Sequence, residues 1–182
     1  MRLAIRDEVK ALAVLALAVW LVCCGPANAS APAQAPAPVM WMGVVTYVVD
    51  GDTVWVRPAD GGKPVSVRVD GIDAPEICQP GGGSSRDALK RRALDQRIAV
   101  FGRRHDDYGR LLARLELNGD DLGQWMVSQG QAWSYHYGRR AGPYALQQSR
   151  AKAAGLGLFS QSHAMPPVYP RAFRKQHGPC HV

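Results

Sequence analysis

The sequence predicts an α+β, mainly β fold: a five-stranded Greek-key barrel carrying about three helices. Three observations predict it. From Trp41 the chain runs through short β-rich segments set apart by Gly, Asp and Pro. A helical stretch falls between the third and fourth of these, and two more, each with its own start and stop signals, follow the fifth. At 182 residues the chain has the length of one domain with a core of its own.

Two segments precede the barrel. Residues 1–29 place Arg2, Arg6 and Lys10 ahead of an apolar run from Ala11 to Cys24 and end in Ala27-Asn28-Ala29, a small-x-small cleavage pattern. This reads as a secretory signal peptide, with cleavage expected after Ala29 and an uncleaved anchor as the alternative, and the expected location is exported, periplasmic or secreted. The apolar run falls short of the ~20 residues a spanning helix needs, so contact with a membrane is expected only if the leader stays uncleaved. Residues 30–40, "SAPAQAPAPVM", are an Ala/Pro-rich linker with no face to bury. A domain over 41–163 and a C-terminal tail over 164–182 complete the division.

"WMGVVTYVVDGDTVWVRP", from Trp41 to Pro58, reads as two strands joined by Asp50-Gly51, a strong hairpin signal in which glycine supplies positive φ at no steric cost. The third strand lies in "PVSVRVDGIDAPE", where Val65, Val67 and Val69 share a buried face and Arg68 points to the other side. "GGGSS" resets the chain, with Ser84 or Ser85 as cap of a short basic helix through about Leu94. "RIAVFGRR" and "RLLARLEL" are the fourth and fifth strands, joined by a turn through "HDDYG". Asp120 or Asp121 caps "LGQWMVSQ", which Gly130 ends, and Pro143 opens a last helix that stops at Gly155. Five strands with a helix after the third match the order of the OB-fold, whose face often binds nucleic acid.

Charge narrows the partners. The chain carries a net charge of +7, and removal of residues 1–29 takes away three basic and two acidic residues, leaving +6. That surplus favours polyanions without telling nucleic acid from a membrane surface. Lys90, Arg91 and Arg92 read as a solvated helix face or an electrostatic track. With Cys23 and Cys24 gone, Cys78 and Cys180 remain, either one disulfide or two separate thiols; an oxidising compartment favours the bond.

Within this basic chain, Asp52 follows Asp50 by two residues, and two carboxylates so close repel each other unless something positive sits between them. A bound cation is one such charge. Asp50, Asp52, Thr53, Arg68, Asp73, Glu76 and Arg110 all sit beside turns or strand ends. Asp52 and Asp73 supply hard oxygen ligands for Ca²⁺, with a backbone carbonyl and water completing the shell. Glu76 is then a free carboxylate to take a proton from an attacking water, and the two arginines are phosphate clamps. An EF-hand is excluded, because its fifth position would be Val54 and its twelfth Gly61; no paired Cys/His cluster suggests zinc. Read singly, Asp50-Gly51 and Asp73-Ala74-Pro75 are turns, Arg68 is a solvated strand residue and Arg110 a loop cation. Their joint occurrence points to phosphodiester chemistry.

"VVDGDTVWV", "VRVDGIDAPE" and "DDYGRLLARL", in this order, resemble the staphylococcal-nuclease (thermonuclease-like) family from about Val44 to Ser160. The resemblance implies an OB-barrel with helices that hydrolyses DNA and/or RNA with Ca²⁺ to products ending in 3′-phosphate. It implies that Asp52, Asp73 and the carbonyl of Ala74 bind the metal with Asp50 nearby, that Glu76 is the general base, and that Arg68 and Arg110 contact the scissile phosphate. Tyr108, Tyr135 and Tyr137 resemble substrate-contacting tyrosines of the family, with ordinary packing as the alternative for the latter two. No stable protein partner is implied, and a monomer is expected. Ala74 stands where a threonine is common, and the stretch from Glu76 to Arg110 is shorter than in the best-known member. A non-catalytic nucleic-acid-binding module of the same fold, and a basic exported adhesion or structural protein, are the competing readings; neither requires the full set of carboxylates and arginines.

Overall fold

Strand β1 (Val39–Val48) opens the barrel two residues ahead of Trp41, inside the stretch whose composition reads as linker. The computed structural model describes residues 39–136, 138, 140–161, 165–178 and 180. The signal peptide, residues 30–38 of the linker, Tyr137 and the boundary at residues 163 and 164 lie outside the described residues. β1 pairs antiparallel with β2 (Thr53–Pro58), which pairs with β3 (Val65–Val69) in a register that sets Thr53 beside Arg68. The two-residue β4 (Ile72–Asp73) and helix α1 (Gly82–Ala93) come next, then β5 (Arg97–His105), which pairs with β1. β6 (Leu111–Leu117) pairs antiparallel with β5 and parallel with β3, matching Val67 to Leu111 and Arg68 to Leu112. That parallel pairing closes β3-β2-β1-β5-β6 into a mixed five-stranded barrel, the OB-fold.

The alternation visible in the sequence explains the closure. Val45, Val54, Val56, Val67, Ile98, Val100, Ala113 and Leu115 are fully buried and fill the interior, while Tyr47 and Trp55, paired across β1 and β2, stay exposed. Beyond the short β7 (Asp120–Asp121), helix α2 (Leu122–Ser128) starts at Asp121, whose side chain accepts from the Gln124 N–H at 2.9 Å. It adds Leu122 and Met126 to the core. β8 (Trp133–Ser134) pairs with β4, so that Asp73 lies opposite Trp133. Helix α3 (Ala145–Ala153), a 3-10 turn (Gly157–Phe159) and helix α4 (Pro170–His177) follow. No helix among the described residues is long and apolar enough to cross a membrane.

Three local expectations are corrected. Neither Ser84 nor Ser85 caps α1: the cap is Gly81 at φ 90°, and the buried Ser85 hydroxyl donates instead to the Gln131 carbonyl at 2.7 Å, tying α1 to the segment after α2. Pro143 precedes rather than opens its helix, which starts after Tyr144. Nor is that helix the last, because α4 follows in the tail with Pro170 in its first turn, where a missing N–H costs nothing. The structure joins Cys78 to Cys180 in a disulfide, which fastens the residues after α4 to the loop between β4 and α1.

That loop is also fixed from below. A Cβ on Gly82 would stand 1.9 Å from the carbonyl oxygen of Glu76, a backbone atom with nowhere to go. Gly82→Ala is therefore expected to shift the Glu76 loop and lower stability by about 1–3 kcal/mol, the usual cost of overpacking a filled site. Urea unfolding should show this as a lower midpoint at unchanged slope.

Candidate active site

The loop from β1 to β2 folds on its own polar groups. The Val49 N–H donates to the Thr53 carbonyl, and the Asp52 N–H donates to Asp50 Oδ1, both at 2.9 Å. Gly51 is the right residue for a different reason than its turn signal gives. Its φ lies outside the left-handed region, and a Cβ there would meet Ser85 Oγ at 1.9 Å and Ala74 Cβ at 2.8 Å. The glycine lets the loop lie against α1 and the β4 segment, which carries Asp52 inward until it is 2% exposed. There Oδ2 accepts from the Ala74 N–H at 2.9 Å, and Oδ1 accepts from the Thr53 hydroxyl at 3.0 Å and from Arg68 Nη1 at 2.9 Å.

Arg68, on the face of β3 opposite its valines, spans two carboxylates: Nη2 donates to Asp73 Oδ1 at 2.9 Å. Asp52 above all holds its pKa above the ordinary value, against the pull of burial. Asp73 is 1% exposed, and its pKa is raised, first by burial and then by the Asp52 charge, with Arg174 and Arg68 opposing. Asp50 is pushed up to about 7, again by burial first and the Asp52 carboxylate second. Asp73 Oδ2 is buried with no hydrogen-bond partner among the described residues. An orphaned carboxylate oxygen beside a second buried carboxylate is a donor set suited to a hard cation. Among the described residues no three His, Cys, Asp or Glu side chains make a ready metal cage. An ion held by Asp52 and Asp73 would therefore draw the rest of its shell from backbone carbonyl and water.

Arg110 enters from the turn before β6. Asp106 fixes it at both ends: Oδ1 accepts from the Arg110 N–H, and Oδ2 accepts from Nε, each at 2.9 Å. A burial penalty on Asp106 is outweighed by these bonds and by the Tyr108 N–H, so its pKa lies below the ordinary value. Arg110 Nη1 reaches Thr53 Oγ1 at 3.4 Å, linking it to Asp52, and its guanidinium lies over the Tyr108 ring at 5.3 Å. Tyr108 itself is 85% exposed, free to meet a partner from solvent.

Glu76 is partly buried in the loop after β4, where its N–H donates to Gln79 Oε1 at 3.3 Å. Its Oε1 accepts from Arg174 Nη1 on α4 at 2.5 Å, and the same Nη1 stands 3.6 Å from Asp73 Oδ1. Asp50, Asp52, Thr53, Arg68, Asp73, Glu76 and Arg110 thus form one connected network. Tyr135 is exposed and tied to Gly71 through its backbone N–H, but its ring makes no hydrogen bond to that network among the described residues. Arg92 bonds to Asp120 at 2.6 Å and lies over Trp125, whereas Lys90 and Arg91 are solvated. Sequence reasoning missed two members. Asp106 was visible as an acid four residues before Arg110; Arg174 carried no such local mark, because its partners lie about a hundred residues away.

Comparison with known proteins points one way. The family described as "Staphylococcal nuclease homologue" matches residues 66–161. Protein ParB of Escherichia coli is 34% identical over 72% of this chain and 80% of its own length. A micrococcal nuclease of Shigella flexneri is 30% identical over 89% of this chain and 92% of its own. An uncharacterized endonuclease of Haemophilus influenzae is 31% identical over 72% of each.

Asp50 makes stability depend on pH. Its folded pKa of about 7 lies above the ordinary 3.8, so between those values the folded chain binds more protons than the unfolded one. Stability of the metal-free protein should therefore fall as pH rises through that window. Asp50→Asn removes the fall: in EDTA its urea midpoint should exceed that of the parent at about pH 8 and lose the advantage at about pH 4. Parallel pH profiles for the two proteins would contradict this account.

Proposed function

The chain belongs to the staphylococcal nuclease family, and on that footing we propose that it is an exported, Ca²⁺-dependent nuclease that hydrolyses phosphodiester bonds of DNA and/or RNA. The observation that carries the reading is the hydrogen-bonded run from Asp52 through Arg68 to Asp73, with Arg110 joined to it by Thr53. Buried charges gathered this densely are costly to a fold, and a nucleic-acid binder has no use for acidic ones. The named nucleases among its relatives support the same reading.

Asp52 and Asp73, with the Ala74 carbonyl, would hold the Ca²⁺ ion, and Asp50 would stand beside them. When bound, the ion supplies positive charge against the phosphate oxygens. Glu76 accepts a proton from a water that attacks phosphorus; the bond to the 5′-oxygen breaks, and that oxygen takes a proton from solvent, leaving a 3′-phosphate and a 5′-hydroxyl. Arg68 and Arg110 bring guanidinium charge to the nonbridging oxygens, where negative charge builds as the fifth oxygen arrives. Asp106 keeps the Arg110 fork aimed while leaving Nη1 toward Thr53. Tyr108, exposed next to Arg110, is placed to stack on a base of the bound strand. Tyr137 is proposed in the same role, and Tyr135 with it, on family resemblance alone.

The test compares purified protein with its Glu76→Gln variant on single-stranded DNA and RNA, in Ca²⁺ and in chelator. Chelation should abolish cleavage and Ca²⁺ restore it, because bare carboxylates repel the phosphate. Glu76→Gln should lose about 10² to 10⁴ in rate while still binding nucleotide. A parent that binds nucleic acid and cleaves none under any divalent metal is instead a binding module of the same fold. Arg68→Ala and Arg110→Ala should each lower kcat by about 10² to 10³ with less effect on binding; an arginine whose loss leaves kcat untouched has no place in the site. Export is checked by intact mass, which should begin at Ser30.

A further inference from the structure

Arg174 lies outside residues 66–161, the stretch that the family description matches. It is nevertheless wired into the site by its interactions with Glu76 and Asp73. Both run through Nη1, and Nε and Nη2 have no partner among the described residues. A guanidinium has five donors in a rigid fork, and the Nε–Nη2 side is the edge that grips a phosphate bidentately. The Arg174 side chain is 36% exposed, so part of it has access to solvent.

The charges around it say what it would meet. Asp50, Asp52, Asp73 and Glu76 crowd one region, and Asp106 already takes up the charge of Arg110. Without the metal, Arg68 and Arg110 stand against five carboxylates, these four and Asp106, a balance that turns a phosphodiester away. Arg174 adds a further positive charge beside them.

Its position depends on how the tail is fastened. The segment from Val168 to Cys180 forms a strap: the Gln79 amide donates to the Val168 carbonyl at 2.6 Å at one end, and the Cys78–Cys180 disulfide closes the other. Tyr169 packs edge-on against Trp133. Between the strap and the loop beneath it is a cavity of about 610 Å³, lined by Pro80, Gly81 and Leu158 on one side and Val168 and Phe173 on the other. Pro170 is the buried residue of α4, so the helix itself adds little packing to the contact that Tyr169 makes.

We propose that this disulfide-anchored strap completes the substrate site, presenting Arg174 as a third guanidinium that binds a phosphate of the nucleic-acid strand through its Nε–Nη2 edge. The inference rests on the nuclease reading of the same site. Arg174 holds Glu76 through Nη1 and binds the strand directly through its other edge, and its action requires the oxidised disulfide.

Steady-state cleavage of a short oligothymidylate in Ca²⁺ over a series of salt concentrations tests the proposal, with anisotropy of a labelled, hydrolysis-resistant phosphorothioate oligothymidylate in Ca²⁺ as a readout that needs no turnover. Arg174→Ala should raise KM about tenfold, the scale of one charge-assisted hydrogen bond, and change kcat less. The slope of log affinity against log salt should fall by about 0.7, as expected when one phosphate fewer on a single strand is neutralised by the protein. Arg174→Lys should recover the slope and part of the KM, keeping the charge without the fork. Thiol reductant should bring the parent to the Arg174→Ala values and leave Arg174→Ala itself unmoved. Unchanged KM and slope in Arg174→Ala, or an equal response of both proteins to reductant, would overturn the proposal. A parent that cleaves nothing sinks the nuclease reading separately, and the anisotropy slopes still decide Arg174: equal slopes mean it touches no phosphate.

Discussion

The structure turns on one guanidinium held between two buried carboxylates. Asp52 and Asp73 are 2% and 1% exposed, and they arrive from different segments, the loop after β1 and the short strand β4. Arg68 binds both. Charges taken out of water are expensive, and the loss of one member of such a set leaves the others uncompensated, at a cost of about 3–5 kcal/mol. Much of the surrounding architecture serves this triad. The Ala74 N–H and the Thr53 hydroxyl satisfy the remaining acceptors of Asp52, Gly51 gives the loop room to descend, and β4 holds Asp73 by pairing with β8. The groups that would do chemistry therefore also hold three segments of the barrel together, and function and stability are not separable here.

How legible all this was in the sequence varied with the range of the cause. The strands were legible because alternation is local: Val65, Val67 and Val69 against Ser66, Arg68 and Asp70 fix the inner face without knowledge of the partner strand. A cap at Asp120 or Asp121 was legible for the same reason, and the fold uses Asp121. Ser85 misled because its hydroxyl answers to Gln131, forty-six residues on. Gly51 stands out as a turn glycine although its constraint comes from Ser85 and Ala74. Helix α4 escaped notice even though Pro170 and the basic last turn of Arg174, Lys175 and His177 are sound start and stop signals. Its polar composition hid it, since it buries little.

The site divides in the same way. Asp52, Arg68, Asp73, Glu76 and Arg110 drew attention because carboxylates and arginines at strand ends are conspicuous in a chain whose overall balance is +7. The local balance is the reverse of the global one, and only the folded arrangement reveals it. The net positive charge draws a polyanion toward the protein at long range, while the carboxylate cluster governs what happens at close approach. Composition reports the first effect and is silent on the second.

The parallel pairing of β3 with β6 has a consequence for the order of events in the life of the chain. It brings together residues more than forty positions apart, and it is what puts Arg68 next to Leu112, two residues past Arg110. Pairings of this kind form late, because the intervening helix and strand must first find their places. Until then the two arginines belong to separate, unjoined pieces of chain, and the constellation that would act on a phosphodiester does not exist. The cell that makes such a protein handles it in the presence of its own messenger RNA and chromosome. A site that exists only once β3 meets β6 is absent from the unfinished chain.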